Sequence, residues 1–181
     1  MADESNSGDI SGNVISDLQL GNGEDTAPAA GIISQYVKDL SVENPNAPAS
    51  FQVQEQPQID IQFNIAAKPV GDEVHEVELK VVVKALSDTT TIYAVDLVYC
   101  GLVGMRNLED SHAHAFLFAE APRILFPFAR RIVCDAVRDA GFPPLMLEPI
   151  DFNGLYMQQL SEQQAQQGTE GMAGMPPAGN A

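Results

Sequence analysis

Gln58-Ile-Asp-Ile-Gln-Phe-Asn-Ile65 is the stretch that decides the fold class, because apolar and polar side chains alternate along it. This period of two predicts a β-strand with one face packed and the other in water. A turn at residues 68–72 follows, with Pro69 and Gly71, and it leads to a second alternating run at 76–84. Consecutive strands joined by short turns favour an antiparallel meander.

Two further strands are predicted at 32–40 and 90–103, and helical signals fill the chain after them. Asn107 has the character of a helix N-cap. Pro122 begins or kinks a second helical segment, and Asp151 caps a last helix. Strands first and helices afterwards predict an α+β domain, with a four-stranded antiparallel sheet and helices packed on one of its faces.

The packed domain is predicted over residues 32–160, between two polar ends. Residues 1–31 carry acids, no Lys or Arg, and many Gly, Ser and Asn, which predicts a disordered acidic extension. Residues 161–181 are rich in Gln, then in Gly, Met and Pro, which predicts a flexible tail.

The net charge limits the classes of partner. With 9 Lys and Arg against 25 Asp and Glu, the chain carries −16, so it repels nucleic acid and anionic membranes. Basic protein surfaces and unfolded chains rich in Lys and Arg are the expected partners. The acidic start Met1-Ala-Asp-Glu does not resemble a secretory signal, and no apolar run suits a membrane span. Two cysteines make no disulfide framework, which is typical of a reducing compartment. Together with the missing signal and membrane span, this predicts a cytoplasmic protein with no membrane insertion.

Residues with catalytic or metal-binding chemistry are sparse. His112 and His114 are two apart, and helical side chains at that spacing point in different directions. Gly101-Leu-Val-Gly104 lacks the Lys-Ser/Thr ending of a phosphate loop. Acidic pairs such as Glu76 and Glu78 are expected to lie on a solvated face. We therefore expect no catalytic residue, no cofactor, no bound metal and no ATPase activity.

The aromatic residues indicate a binding groove. Phe128 and Phe152 are expected in the core, whereas other apolar residues near the proline-rich loop are expected to line a groove between the last helix and the body of the domain. Such grooves accept extended or helical peptide segments. Together with strand residues, the predicted groove set is Ile61, Phe63, Phe126, Phe142, Leu145, Leu147 and Tyr156.

The fourth predicted strand is apolar on both faces except at Asp96. A lone four-stranded sheet should have one wet face, so this excess predicts burial against other copies of the chain. A larger single core is the alternative.

Several motifs, in order, resemble the SecB family of bacterial protein-export chaperones over about residues 34–165. One is Ser41-Val-Glu-Asn-Pro-Asn-Ala-Pro-Ala-Ser-Phe51, in which Pro45 and Pro48 stiffen an irregular acidic surface segment. Others are Ala121-Pro-Arg-Ile-Leu-Phe-Pro-Phe-Ala-Arg130 and Gly141-Phe-Pro143. Each motif is weak alone, but their order and spacing together are specific.

The resemblance implies a homotetramer, built as a dimer of dimers, with sheets outside and helices between. It also implies an ATP-independent holdase that keeps preproteins unfolded and passes them to the translocase motor SecA. In the family, the outer sheet face receives a basic, zinc-carrying tail of SecA. The motif match places that contact on Asp39, Glu43, Ala94 and Asp96. The residues implied to support assembly, on the inner side of the fourth strand, are Val95, Leu97 and Tyr99.

The chain also departs from the family pattern. Ala94 stands where the family often has a larger apolar residue, and residues 1–31 exceed the usual start. The extension is open to two roles, added solubility or competition as an acidic pseudo-partner. The tail after Ser161 is unlike the family, so no SecA contact is carried over to it. Two other functions stay open, a general or antitoxin-linked chaperone without export duty and a small enzyme that uses His112 or His114.

Overall fold

In the computed structural model of the chain, the described residues are 27–53, 55–88 and 90–172, with side chains to 165. Four strands come first: β1 (Ala29–Glu43), β2 (Gln58–Pro69), β3 (Val74–Ser87) and β4 (Thr90–Arg106). Three helices follow: α1 (Asp110–Ala115), α2 (Ala121–Asp139) and α3 (Phe152–Met172). Short turns of tight helix at Ala49–Gln52 and of π-helix at Phe116–Glu120 complete the described elements.

The predicted domain limits shift outward at both ends. The β1 strand begins at Ala29, inside the predicted extension, and α3 continues to Met172, inside the predicted tail. The run 162–165, Glu-Gln-Gln-Ala, consists of good helix formers, which explains why α3 does not end near residue 160. The rest of both predictions concerns residues 1–26 and 173–181, which lie outside the described residues.

The sheet order is β1-β4-β3-β2, and every neighbouring pair is antiparallel. Strands β2, β3 and β4 form the predicted meander, but the prediction is wrong for β1, which pairs with β4 at the far edge. The connection at 44–57 carries the chain across the end of the sheet, and the result is a Greek key. In this connection, the Asn46 amide donates a hydrogen bond to the Thr91 carbonyl at 2.8 Å.

Strand β1 contains two bulges, at Ile33 and at Lys38, where its pairing register with β4 shifts. A bulge puts consecutive residues out of strict alternation. The bulges therefore keep Ile32, Val37, Leu40 and Val42 on the helix side despite their irregular spacing, which accounts for the mixed sequence pattern of β1. Between the bulges, Tyr36 and Val37 pair with Cys100 and Tyr99, respectively.

The helical segments α1 and α2 form one continuous run through the π-helical turn. The N-cap prediction at Asn107 is wrong, because this residue adopts a φ of 53° and its amide donates to the Ala27 carbonyl at 3.3 Å. At Pro122 the missing N–H and the bulky ring disfavour an ordinary turn. The Ala121 N–H bonds instead to the Phe116 carbonyl, which widens the helix there.

The other two helix limits agree with the predictions. Gly141 ends α2 with a φ of 93°, which other residues rarely adopt. Asp151 caps α3, since its Oδ1 accepts the Gly154 N–H at 3.0 Å. No helix among the described residues combines the length and the apolar composition that a membrane crossing requires.

The core lies between the sheet and α2. Its largest fully buried side chains include Leu79, Leu97 and Leu125. A Cβ at Gly101 would lie 2.9 Å from Leu125 Cδ2, so the missing side chain lets α2 lie close to β4. Phe152 is buried as predicted, whereas the core prediction for Phe128 is wrong, because it is 44% exposed on the flank of α2.

Candidate functional site

The outer face of the sheet, opposite the helices, holds all four predicted partner-binding residues. Cross-strand pairing places Glu43 beside Ala94, Ser41 beside Asp96, and Asp39 beside Val98. Opposite residues on paired strands share a face. The structure therefore brings Asp39, Glu43, Ala94 and Asp96 into one cluster on β1 and β4, which we call the acidic patch.

Three members of the acidic patch, Glu43, Ala94 and Asp96, line a depression of about 190 Å³. Lys84 reaches its wall, and the neighbouring Lys80 makes an ion pair with Asp96 at 2.8 Å. The Asp39 and Glu43 side chains are exposed to solvent. Asp96 thus has a basic partner within the chain, while the two β1 carboxylates face water.

Beside the acidic patch lies an ionic network that the sequence did not reveal. Lys38 and Lys68 bind Glu76 Oε2 at 2.8 and 2.7 Å, and the Tyr36 hydroxyl donates to Glu76 Oε1. Lys38 also binds Glu78. The expectation that Glu76 is solvated is wrong, since the residue is only 6% exposed. The pairing of β1 with β4, and of β4 with β3, causes the difference, because it brings Tyr36 and Lys38 to Glu76 on the outer face.

This network shifts the titration of its members. Hydrogen bonds from Lys38, Lys68 and Tyr36 lower the pKa of Glu76 to about 2. Burial and the hydrogen bond to Glu76 raise the pKa of Tyr36 to about 12. The hydrogen bond to Glu76 also raises the pKa of Lys38.

Glu76, Glu78 and Cys100 place one potential metal ligand each within 4.8 Å of one another. The chemistry of the group favours ion pairing instead. Burial and the nearby carboxylates raise the pKa of the Cys100 thiol to about 11, and metal binding requires the thiolate. Both carboxylates are already bound to lysine ammonium groups.

On the helix side, β2 presents a row of partly exposed apolar residues that we call the apolar strip. Its members are Ile59, Ile61, Phe63 and Ile65. At one end stands an aromatic group in which the Phe142 ring lies 5.2 Å from Phe51 and 4.9 Å from Tyr93. At the other end, a cleft of about 390 Å³ opens between β2 and α3 and is lined by Phe63, Leu155 and Tyr156.

The predicted groove set is divided by the structure. Ile61, Phe63 and Phe142 belong to the apolar strip or to its aromatic end, and Leu145 is partly buried. Three other members are almost fully buried in the single chain, although Tyr156 lines the cleft between β2 and α3: Phe126, Leu147 and Tyr156. The rotation of α2 explains the case of Phe126, whose ring packs 5.9 Å from Phe63 and 5.6 Å from Phe152.

The predicted assembly residues lie in the core of the single chain. Val95 and Leu97 have no exposed surface, and the Tyr99 ring stacks on Phe128 with centroids 6.4 Å apart. These side chains therefore cannot contact another copy directly in this conformation. Their direct neighbours on β1 are exposed by 41–44%, and we call them the edge row: Val37, Leu40 and Val42.

The two helical histidines do not form a joint site. His112 is exposed, whereas His114 Nδ1 lies 2.9 Å from the Tyr156 hydroxyl. The His114 ring packs 4.6 Å from Phe118 of the same helical run, and its contact with Tyr156 links that run to α3.

Comparison with known proteins gives a consistent result. The family model described as preprotein translocase subunit SecB matches residues 23–163. Protein-export protein SecB of Erythrobacter litoralis is 59% identical over 186 residues, and the match covers 100% of both chains. The protein of the same name from Novosphingobium aromaticivorans is 62% identical over 170 residues, or 91% of this chain and 94% of the relative.

Among solved structures, the SecB-like chaperone of Mycobacterium tuberculosis in complex with an antitoxin peptide aligns with a TM-score of 0.56. That match covers 67% of this chain and 90% of the other at 18% identity, which shows a shared fold. The family model and the relatives from Erythrobacter and Novosphingobium cover most of this chain. The chain therefore belongs to the SecB family.

Proposed function

We propose that the protein is an ATP-independent holdase chaperone of the cytoplasm that binds unfolded preproteins and delivers them to SecA. It acts without catalysis and without a cofactor. Family membership supports the class of function. The observation that carries the proposal is the separation of two surfaces, with the apolar strip on the helix side of the sheet and the acidic patch on the outer face.

The apolar strip suits an extended client segment. From Ile59 to Ile65 it spans about 20 Å at the usual rise per strand residue, which matches roughly six extended client residues. Burying about 400 Å² of client apolar surface contributes at most about 10 kcal/mol, and ordering of the client offsets much of that gain. A single site is therefore weak, so retention of a long unfolded chain depends on several linked sites.

Assembly into a homotetramer, as a dimer of dimers, would supply those linked sites. The edge row exposes three apolar side chains along the helix side of β1, next to the exposed Phe128. The β1 strand is also an edge strand whose outer backbone groups are available to a second strand. Pairing of edge row with edge row gives an isologous contact of the kind that forms twofold dimers.

Delivery to SecA would use the acidic patch. Asp39 and Glu43 offer exposed carboxylates to a basic tail, and Asp96 contributes a third charge beside them. Contacts between exposed charges speed encounter and weaken with added salt. The zinc of this contact belongs to the SecA tail and not to this protein.

Capture of a denatured, fluorescently labelled preprotein in nucleotide-free buffer tests the proposal. We expect binding by the unaltered chain and a loss of about tenfold in affinity for Phe63→Asp, because a charge would enter the apolar strip. Val70→Asp is the matched control, since Val70 is exposed in the β2–β3 turn, and it should bind normally. Equal losses for both variants, or a requirement for ATP, would contradict the proposal.

A further inference from the structure

All four lysines of the sequence lie on the outer face of the sheet: Lys38, Lys68, Lys80 and Lys84. The first three make ion pairs with acids of the same face. Lys84 differs from them, because it is exposed and has no ion pair or hydrogen bond to any residue that the structure describes. Its ammonium group is therefore available to a partner at the acidic patch.

Lys84 belongs to a row of residues that crosses the whole sheet. In order from β1 to β2, strand pairing aligns Glu43, Ala94, Lys84 and Asp60. Neighbouring strands lie about 4.8 Å apart, so the backbones at Glu43 and Lys84 are about 10 Å apart, with Ala94 between them. An exposed acid and an exposed base thus flank one small side chain.

The small side chain of Ala94 lies in the depression of about 190 Å³ on this face. Glu43 on β1 and Lys84 on β3 both line the depression, on opposite sides of Ala94. The volume equals the share of about six waters in the liquid, so it can admit the charged end of a partner side chain. Such a group would meet a carboxylate on one side and an ammonium on the other.

The chain has an acid directly opposite Lys84, and the two do not pair. Asp60 Oδ2 accepts a hydrogen bond from the Gln62 amide at 3.2 Å instead. Lys84 lines the depression next to Ala94, whereas Asp60 lies on the other side of Lys84, on β2. Lys84 is therefore part of the partner-binding surface and is not neutralised by its own cross-strand neighbour.

We propose that Lys84 binds a carboxylate carried by the basic tail of SecA, an inference that rests on the proposed binding of that tail to the acidic patch. Glu43 binds a basic residue of the tail, and Lys84 binds the carboxylate on the other side of Ala94. A segment with cations alone would place a positive charge against Lys84, which lowers its affinity. Lys84 thus selects a tail that carries both charges in the right order.

The sign of the effect of Lys84→Gln tests this role. Loss of any cation makes the outer face more acidic, which by charge alone should strengthen binding of a basic segment. We expect the opposite for Lys84→Gln, a loss of about threefold in the affinity of the full-length chain for the isolated, zinc-loaded SecA tail at low salt, typical of one exposed ion pair. Isothermal titration calorimetry measures it.

Two variants serve as controls. Lys80→Gln makes the same change of charge on the same face of β3 and should raise the affinity, because Lys80 pairs with Asp96 of its own chain. Lys84→Arg keeps a cation that binds carboxylates and should retain the affinity of the unaltered chain. Capture of a denatured preprotein should be unchanged in all three variants, which shows that each is folded.

A tail in which every carboxyl is converted to an amide identifies the group that Lys84 binds. With this tail, Lys84→Gln should raise the affinity, as Lys80→Gln does. Tails amidated only at the chain end, or only at the Asp and Glu side chains, show which carboxylate makes the contact.

An increased affinity of Lys84→Gln for the unmodified tail overturns the inference and leaves the binding of SecA standing. An equal loss with the fully amidated tail also overturns it, because the effect would then not depend on a carboxylate. If the unaltered chain does not bind the tail at all, both the inference and the proposed delivery to SecA fail.

Discussion

Lys80 and Asp96 lie on neighbouring strands of the outer sheet face and form an ion pair of 2.8 Å. The second carboxylate oxygen of Asp96, Oδ1, is buried and has no hydrogen-bond partner among the described residues. One oxygen of the Asp96 carboxylate is therefore bound to Lys80, and the other can still accept a hydrogen bond. Lys80 competes for this carboxylate with any basic partner that binds the acidic patch.

Removing that competitor should strengthen binding of a basic partner. We expect Lys80→Gln to raise the affinity for SecA or for its isolated basic tail about threefold at low salt, a gain typical of one exposed ion pair. Isothermal titration calorimetry at two salt concentrations measures it, and the gain should shrink at high salt. Arg138→Gln makes the same change of charge on the helix side. If it gives the same gain, net charge and not the Asp96 contact is responsible.

Glu76 should make stability depend on pH. Its pKa is lowered from 4.5 to about 2, so its contribution is complete above pH 4.5 and is lost as the pH falls toward 2. At pH 7 we expect Glu76→Gln to lower the free energy of unfolding by about 2 kcal/mol, allowing for the partly exposed lysine partners. Urea unfolding from pH 7 to pH 2.5 should show this difference shrinking. A difference in unfolding free energy that stays constant over this pH range would contradict the account. Glu55→Gln is the control, because Glu55 is exposed and its change should have little effect at any pH.

Gly101 should be intolerant of any side chain. An added Cβ would meet Leu125 Cδ2 at 2.9 Å, so either α2 or Leu125 must move. We expect Gly101→Ala to lower the free energy of unfolding by about 2 kcal/mol in urea titrations. Gly31→Ala is a matched control on β1, because no atom lies within 4 Å of the added carbon. Equal stability of the two variants would show that the α2–β4 contact can relax.

The edge row should control the oligomeric state. Leu40→Asp places a charge on an apolar surface that is 43% exposed in the single chain, so folding of the chain should survive while self-association weakens. Light scattering should show a decrease in mass from the tetramer toward smaller species. Val70→Asp, at a site exposed by 52% outside the edge row, should leave the mass unchanged. An unchanged mass for Leu40→Asp would exclude the edge row from the interface.

Local sequence patterns predicted the strands and the last helix well, because alternation and capping depend on near neighbours. The pairing of β1 with β4 was missed because the connection at 44–57 crosses the sheet end through distant contacts, such as Asn46 with Thr91. The exchange of roles between Phe126 and Phe128 has a similar cause. Both fit an apolar helix stripe, and the rotation that buries Phe126 is set by Phe63 and Phe152.

The two candidate surfaces differed in how far the sequence could predict them. The acidic patch followed from a motif match, and the β1–β4 register gathers its members. The ionic network around Glu76 was missed, since it depends on the pairing of β1 with β4, which the sequence pattern did not predict. The groove of about 550 Å³ between α2 and the segment before α3 was missed as well, because these two parts of its lining are separated in sequence.

The central claim is that clients and SecA use separate surfaces, the apolar strip and the acidic patch. The most direct test measures both affinities on the same two variants, Asp39→Lys/Glu43→Lys and Phe63→Asp. The account predicts that the first variant loses at least tenfold in affinity for SecA and keeps its affinity for a denatured preprotein, and that the second does the reverse. Parallel loss of both affinities in either variant would contradict it.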